Sequence, residues 1–138
     1  MLLSFFRNLF ARKQNQEMLH PLAAHITRYG YPNDETPDSL TAAGVGAFKD
    51  CRLIPASLAV SSDVEIRFRA AGIKPMDYVR LQLTSTCSIT RRWDDRTAKT
   101  YKGRAVVGRC DIYCPRDENK SLDGLPVIAF AKAIQPTA

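Results

Sequence analysis

From Val79 to Thr90 the chain alternates strictly for most of twelve residues. Val79, Leu81, Leu83, Cys87 and Ile89 are apolar, while Arg80, Gln82, Thr84, Thr86, Ser88 and Thr90 are polar. A period of two places the two sets on opposite faces, so the run predicts a half-buried β-strand. A strand needs a partner, and the stretch Ala105 to Cys114 offers one. Val106, Cys110, Ile112 and Cys114 would face inward, with Arg109, Asp111 and Tyr113 outward, until Pro115 ends the pattern. Together they predict one long hairpin over 78–114 that turns near Ala98 and Lys99.

The other segments are read against that hairpin. Leu2, Leu3, Phe5, Phe6, Leu9 and Phe10 recur on one face of a predicted helix over 2–13. Met18, Leu19, Leu22, Ala23 and Ile26 suggest a second helix over 15–29, stopped by Gly30 and Pro32. Residues 32–46 carry loop chemistry, including Pro32, Asn33, Pro37, Gly44 and Gly46. Beyond them, Cys51 to Val60 reads as a short edge strand broken by Pro55. Val64, Ile66, Phe68 and Ala70 alternate with Glu65, Arg67 and Arg69 as a further strand. Pro126 to Ile134 is apolar on both faces apart from Lys132, which predicts a covered strand. The expected fold is therefore α+β: two N-terminal helices, then a four- or five-stranded antiparallel sheet that could curl into a small OB-like barrel. The division falls between a helical segment over 1–31 and a β-rich core over 47–138.

Charge is distributed unevenly along this plan. Residues 1–46 hold four Lys/Arg and four Asp/Glu, so the whole net charge of +6 lies beyond them. Between residues 91 and 109, Arg91, Arg92, Arg96, Lys99, Lys102, Arg104 and Arg109 face only Asp94 and Asp95, a net +5. Concentrated charge of one sign attracts phosphate backbones, anionic lipid or an acidic protein surface. No apolar run approaches the ~20 residues that span a bilayer, and the start lacks the layout of a signal peptide. The expected location is the cytoplasm, or a particle assembled there.

No residue cluster argues for catalysis, a cofactor or a metal. Cys110 and Cys114, four apart on one strand, would stand ~13 Å from each other, too far for a disulfide or a shared zinc. In the expected hairpin Cys87 lies opposite Cys110 and could touch it, either as two inert buried thiols or as a pair. His20 and His25 lack the i, i+4 spacing of a helical zinc site. Asp94-Asp95 and Asp117-Glu118 read as turn residues that cap backbone amides. Gly44-Val45-Gly46 is too short for a phosphate loop.

Arg92-Trp93-Asp94-Asp95-Arg96, followed by Asn119-Lys120-Ser121-Leu122-Asp123-Gly124, resembles the RxxxR and [D/N]xSxxG pair of PilZ domains. The resemblance implies a barrel that binds cyclic di-GMP. Two features depart from it: Arg92 to Arg96 reads as a hairpin tip, and only fourteen residues follow Gly124.

Two functions fit the residues. The first is non-enzymatic binding of single-stranded nucleic acid. Arg80, Arg91, Arg92, Arg96, Lys99, Lys102, Arg104 and Arg109 would meet phosphates, and Trp93, Tyr101 and Tyr113 would stack on bases. The second is a structural or assembly subunit of a virion, secretion or conjugation apparatus. It would dock through Leu2, Phe5, Phe6, Leu9 and Phe10 onto a neighbouring copy, another protein or a membrane surface.

Overall fold

The computed structural model describes residues 18–30, 53–114, 116 and 118–134. The expected helix over 2–13 and the loop over 32–46 lie outside these residues. Among the described residues no helix is long and apolar enough to cross a membrane.

The first described element is a strand, β1 (His20–Tyr29), where a helix over 15–29 was expected. Leu22, Ala24 and Ile26 pack on the core while Pro21, Ala23 and His25 are exposed. That is a period of two, obscured by leucine and alanine, which also favour helices. Pro21 has no N–H to give a ladder, and the pairing of β1 shifts register between Pro21 and Ala24.

The opposite error occurs at 64–70, where an alternating strand was expected. Ser62–Ala70 is instead the one α-helix, α1. Val64 and Phe68, four apart on one face, are fully buried. Asp63 and Glu65 sit in the first turn and Arg67 and Arg69 in the last, each suited to the helix dipole. Gly72, at φ 81°, ends the helix by donating to the Arg69 carbonyl.

The remaining strands are β2 (Ser57–Val60), β3 (Tyr78–Gln82), β4 (Ser88–Arg96), β5 (Thr100–Tyr101), β6 (Arg104–Ala105), β7 (Arg109–Tyr113) and β8 (Pro126–Lys132). Six of them close into a barrel in the order β1-β7-β2-β4-β3-β8. β1 runs parallel to β7 and β2 parallel to β4, and the other neighbours are antiparallel. The expected architecture of helices beside an antiparallel, OB-like sheet is therefore overturned: the sheet is mixed, and one described helix connects β2 to β3. β2, read as an edge strand, lies between β4 and β7 with every residue buried.

The long hairpin over 78–114 also resolves differently. The run from Val79 to Thr90 is two strands, turned at 83–87 where the Leu83 and Thr84 amides bond to the Cys87 carbonyl. β4 then pairs with β3 and β2, never with β7.

The core fills the barrel and continues under α1. Trp93, Phe68 and Phe130 are at most 1% exposed, with Phe68 edge-on to Trp93 at 5.5 Å and tilted on Phe130 at 5.0 Å. Phe68 thus stoppers the end of the barrel where β2 leaves and β3 enters. Burying a side chain of that size is worth about 1.5–3 kcal/mol.

Candidate nucleic-acid interface

The basic run 91–109 divides at Arg96. Its first part is β4, a barrel strand, and its second part carries a separate two-stranded ribbon, β5–β6. The ribbon is closed by the Val106 amide on the Lys99 carbonyl, and its Lys102-Gly103 turn has both residues at positive φ. Lys99, Thr100, Tyr101, Lys102, Gly103, Arg104 and Ala105 are all exposed, Tyr101 at 61%. The Lys102 ammonium lies 5.4 Å from the Tyr101 ring centroid. No acidic residue occurs from 97 to 108.

Both roots of the ribbon are tied to α1. On the incoming side Arg96 donates to both Glu65 oxygens, at 2.8 and 3.1 Å, while Arg69 donates to the same carboxylate at 2.9 Å. On the outgoing side the Gly108 amide donates to Asp63, which also accepts from Ser61 Oγ at 2.6 Å. Against the desolvation of partial burial, these donors hold the Asp63 and Glu65 carboxyls below their ordinary range. The ribbon is exposed along its length and fixed at its base.

Of the residues expected to bind nucleic acid, Lys99, Tyr101, Lys102 and Arg104 come together on the ribbon, with Arg96 and half-buried Arg109 at its roots. The others do not join them. Trp93 is a fully buried core residue, unable to stack on a base. Tyr113 leans on Tyr29 at 5.5 Å, and its ring occupies the space that a Cβ at Gly30 would need. Arg80 donates to Gln82 on β3. Arg92 is spent on Asp94 at 2.7 Å. Arg91 lies near the far end of β4, five residues from Arg96.

The acids Asp94 and Asp95, expected as turn caps, are buried strand residues. The register shift of β2 against β4 at Leu58/Ala59 breaks the alternation there, so Trp93, Asp94 and Asp95 are buried in succession. Asp94 Oδ2 accepts from Ser57 Oγ and Arg92, while Oδ1 has no partner, and desolvation raises the carboxyl above its ordinary range. Tyr29 Oη donates to Asp95 at 3.4 Å, and burial followed by the Asp95 charge pushes the phenol up. Sequence reasoning missed this network. The one available signal was a pair of acids inside a strand between an apolar residue and an arginine.

Cys87, Cys110 and Cys114 are free thiols, with Cys87 exposed in the β3–β4 turn and so not facing buried Cys110. Burial pushes Cys110 up to about 12. His20 is stacked on Phe130 at 5.3 Å, and His25 is on the exposed face of β1. Among the described residues no group of three His, Cys, Asp or Glu could hold a metal. The two halves of the PilZ-like pattern do not converge: Arg96 is at the ribbon end of β4, while Asn119 reaches Cys114 beyond the opposite end of β7. The chain matches no protein family, no curated protein and no solved structure, so the PilZ resemblance gains no support.

Proposed function

We propose that the protein is a non-enzymatic binder of single-stranded nucleic acid and that the β5–β6 ribbon is its contact element. The observation that carries this reading is the ribbon itself, with Lys99, Lys102, Arg104 and an exposed Tyr101 in seven residues and no acid among them. Cations on such a ribbon meet successive phosphates, and a tyrosine between them offers a stacking surface that duplex DNA would not use. Arg96 and Arg109 extend the positive charge toward the barrel. A partner of this kind places the protein in the cytoplasm or in a particle assembled there. The alternative, assembly through Leu2, Phe5, Phe6, Leu9 and Phe10, falls outside the described residues.

The test is filter binding of short single-stranded DNA, single-stranded RNA and duplex DNA at 50 and 200 mM salt. Four phosphate contacts on a single strand predict roughly 50-fold weaker binding across that four-fold rise in salt. Equal affinity for duplex and single strand would remove the role given to Tyr101, and no binding at low salt would remove the function.

A further inference from the structure

At the end of β4 away from the ribbon, the barrel holds positive charge that the fold does not neutralise. Ile89 and Trp93 both pack on the core, so Arg91 between them shares their inward-facing side of β4. The same alternation on β1 puts Arg28 on the side of Ala24 and Ile26. The two guanidiniums flank Cys114, a core residue 1% exposed, and the Glu118 carboxylate is the one acid that acts on Arg91. Arg91 Nε is buried with no partner, and its Nη1 reaches only the adjacent Thr90 carbonyl, at 2.9 Å. Burial disfavours the charged form of Arg91. Arg28 Nη1 donates to the Glu118 carbonyl at 2.9 Å, and Asn119, at φ 59°, turns its amide onto Cys114 Sγ at 3.8 Å.

A half-buried guanidinium without a carboxylate is costly, because desolvation is not offset by a countercharge. Two of them against a single exposed Glu118 leave a net positive charge facing into the barrel mouth. Guanidinium forks match the oxygens of a phosphate group in pairs, and a site of low dielectric strengthens that contact. We propose that this mouth of the barrel, formed by Arg91, Arg28 and Asn119 over Cys114, is a binding site for the phosphate group of a small molecule. The site is separate from the ribbon and independent of the nucleic-acid reading, since Arg91 belongs to the opposite end of β4 from Arg96.

The experiment is an amide chemical-shift titration of the full chain with inorganic phosphate and, in a second arm, with glycerol phosphate. Sodium chloride at matched ionic strength is the control. The expected result is saturable shifts centred on Arg28, Arg91, Cys114 and Asn119, at least tenfold weaker in Arg91→Gln. The Lys99→Glu/Lys102→Glu/Arg104→Glu variant should keep the same shifts. Tighter binding of glycerol phosphate would identify a phosphomonoester as the ligand, and equal binding would identify free phosphate. If Arg91→Gln does not fold, the wild-type titration decides alone. Shifts confined to residues 97–108, or shifts reproduced by chloride, would overturn the site.

Discussion

Residues 91–96 and 97–109 look alike in sequence, both rich in arginine and lysine, yet the fold uses them in opposite ways. In the first stretch Trp93, Asp94 and Asp95 are buried and Arg92 is locked onto Asp94. In the second, the ribbon from Lys99 to Ala105 is exposed throughout and its three cations touch no acid. The comparison teaches that charge counted along a sequence says little about charge available to a partner. What separates the two is a neighbour: β4 is covered by β2 and β3, whereas β5 and β6 have only each other.

Substitutions can break that comparison, and the largest effect belongs to the buried half. Trp93→Ala removes a fully buried ring packed on Phe68, and it should cost about 3–5 kcal/mol in urea unfolding. A loss under about 1 kcal/mol would mean that Trp93 is not in the core. Arg92→Met comes next. It leaves Asp94 buried with only Ser57, and breaking a buried pair from one side costs about 3 kcal/mol.

The acid of that pair gives a prediction in pH. The folded Asp94 carboxyl titrates above its unfolded value, so folding favours the protonated form. Its contribution is therefore greatest below the ordinary carboxylate range and is lost as pH rises through the raised folded value. Asp94→Asn, which cannot ionise, should gain stability relative to wild type as pH climbs through that window. A difference that stays flat with pH would show that Asp94 is not desolvated.

Arg96→Met sharpens the contrast with Arg92. Its pair with Glu65 is exposed on the arginine side, so about 0.5–1 kcal/mol is expected in the same unfolding assay. Two arginines four residues apart would then differ several-fold in what they hold. Equal losses for both would erase the distinction between the halves.

This division explains how far the sequence was legible. The strand character of Pro126–Lys132 and of Arg109–Tyr113 followed from apolar spacing, as did the location of the positive charge. The elements that misled were those whose pattern fits two periods. HPLAAHITRY reads as a helix by its leucine and alanines, but tertiary pairing with β7 and β8 selects the strand. Val64 and Phe68 satisfy both a spacing of two and a spacing of four, and the charges at the two ends decide for a helix. The burial of Asp94 and Asp95 depends on a register shift between strands far apart in the chain, which no local pattern encodes. The parallel pairs β1–β7 and β2–β4 are likewise long-range choices. Of the interface, the ribbon residues were visible as charge, while the removal of Trp93, Arg92 and Tyr113 from it required the packing.

The central claim is that the ribbon serves a partner and not the fold. It is tested most directly by measuring both properties on one variant, Lys99→Glu/Lys102→Glu/Arg104→Glu. Unfolding in urea should stay within about 0.5 kcal/mol of wild type, as for surface changes that break no contact. Fluorescence anisotropy with a labelled single-stranded oligonucleotide at 50 mM salt should show affinity falling at least tenfold, with a flatter salt dependence. Unchanged affinity in a stably folded variant would contradict the account.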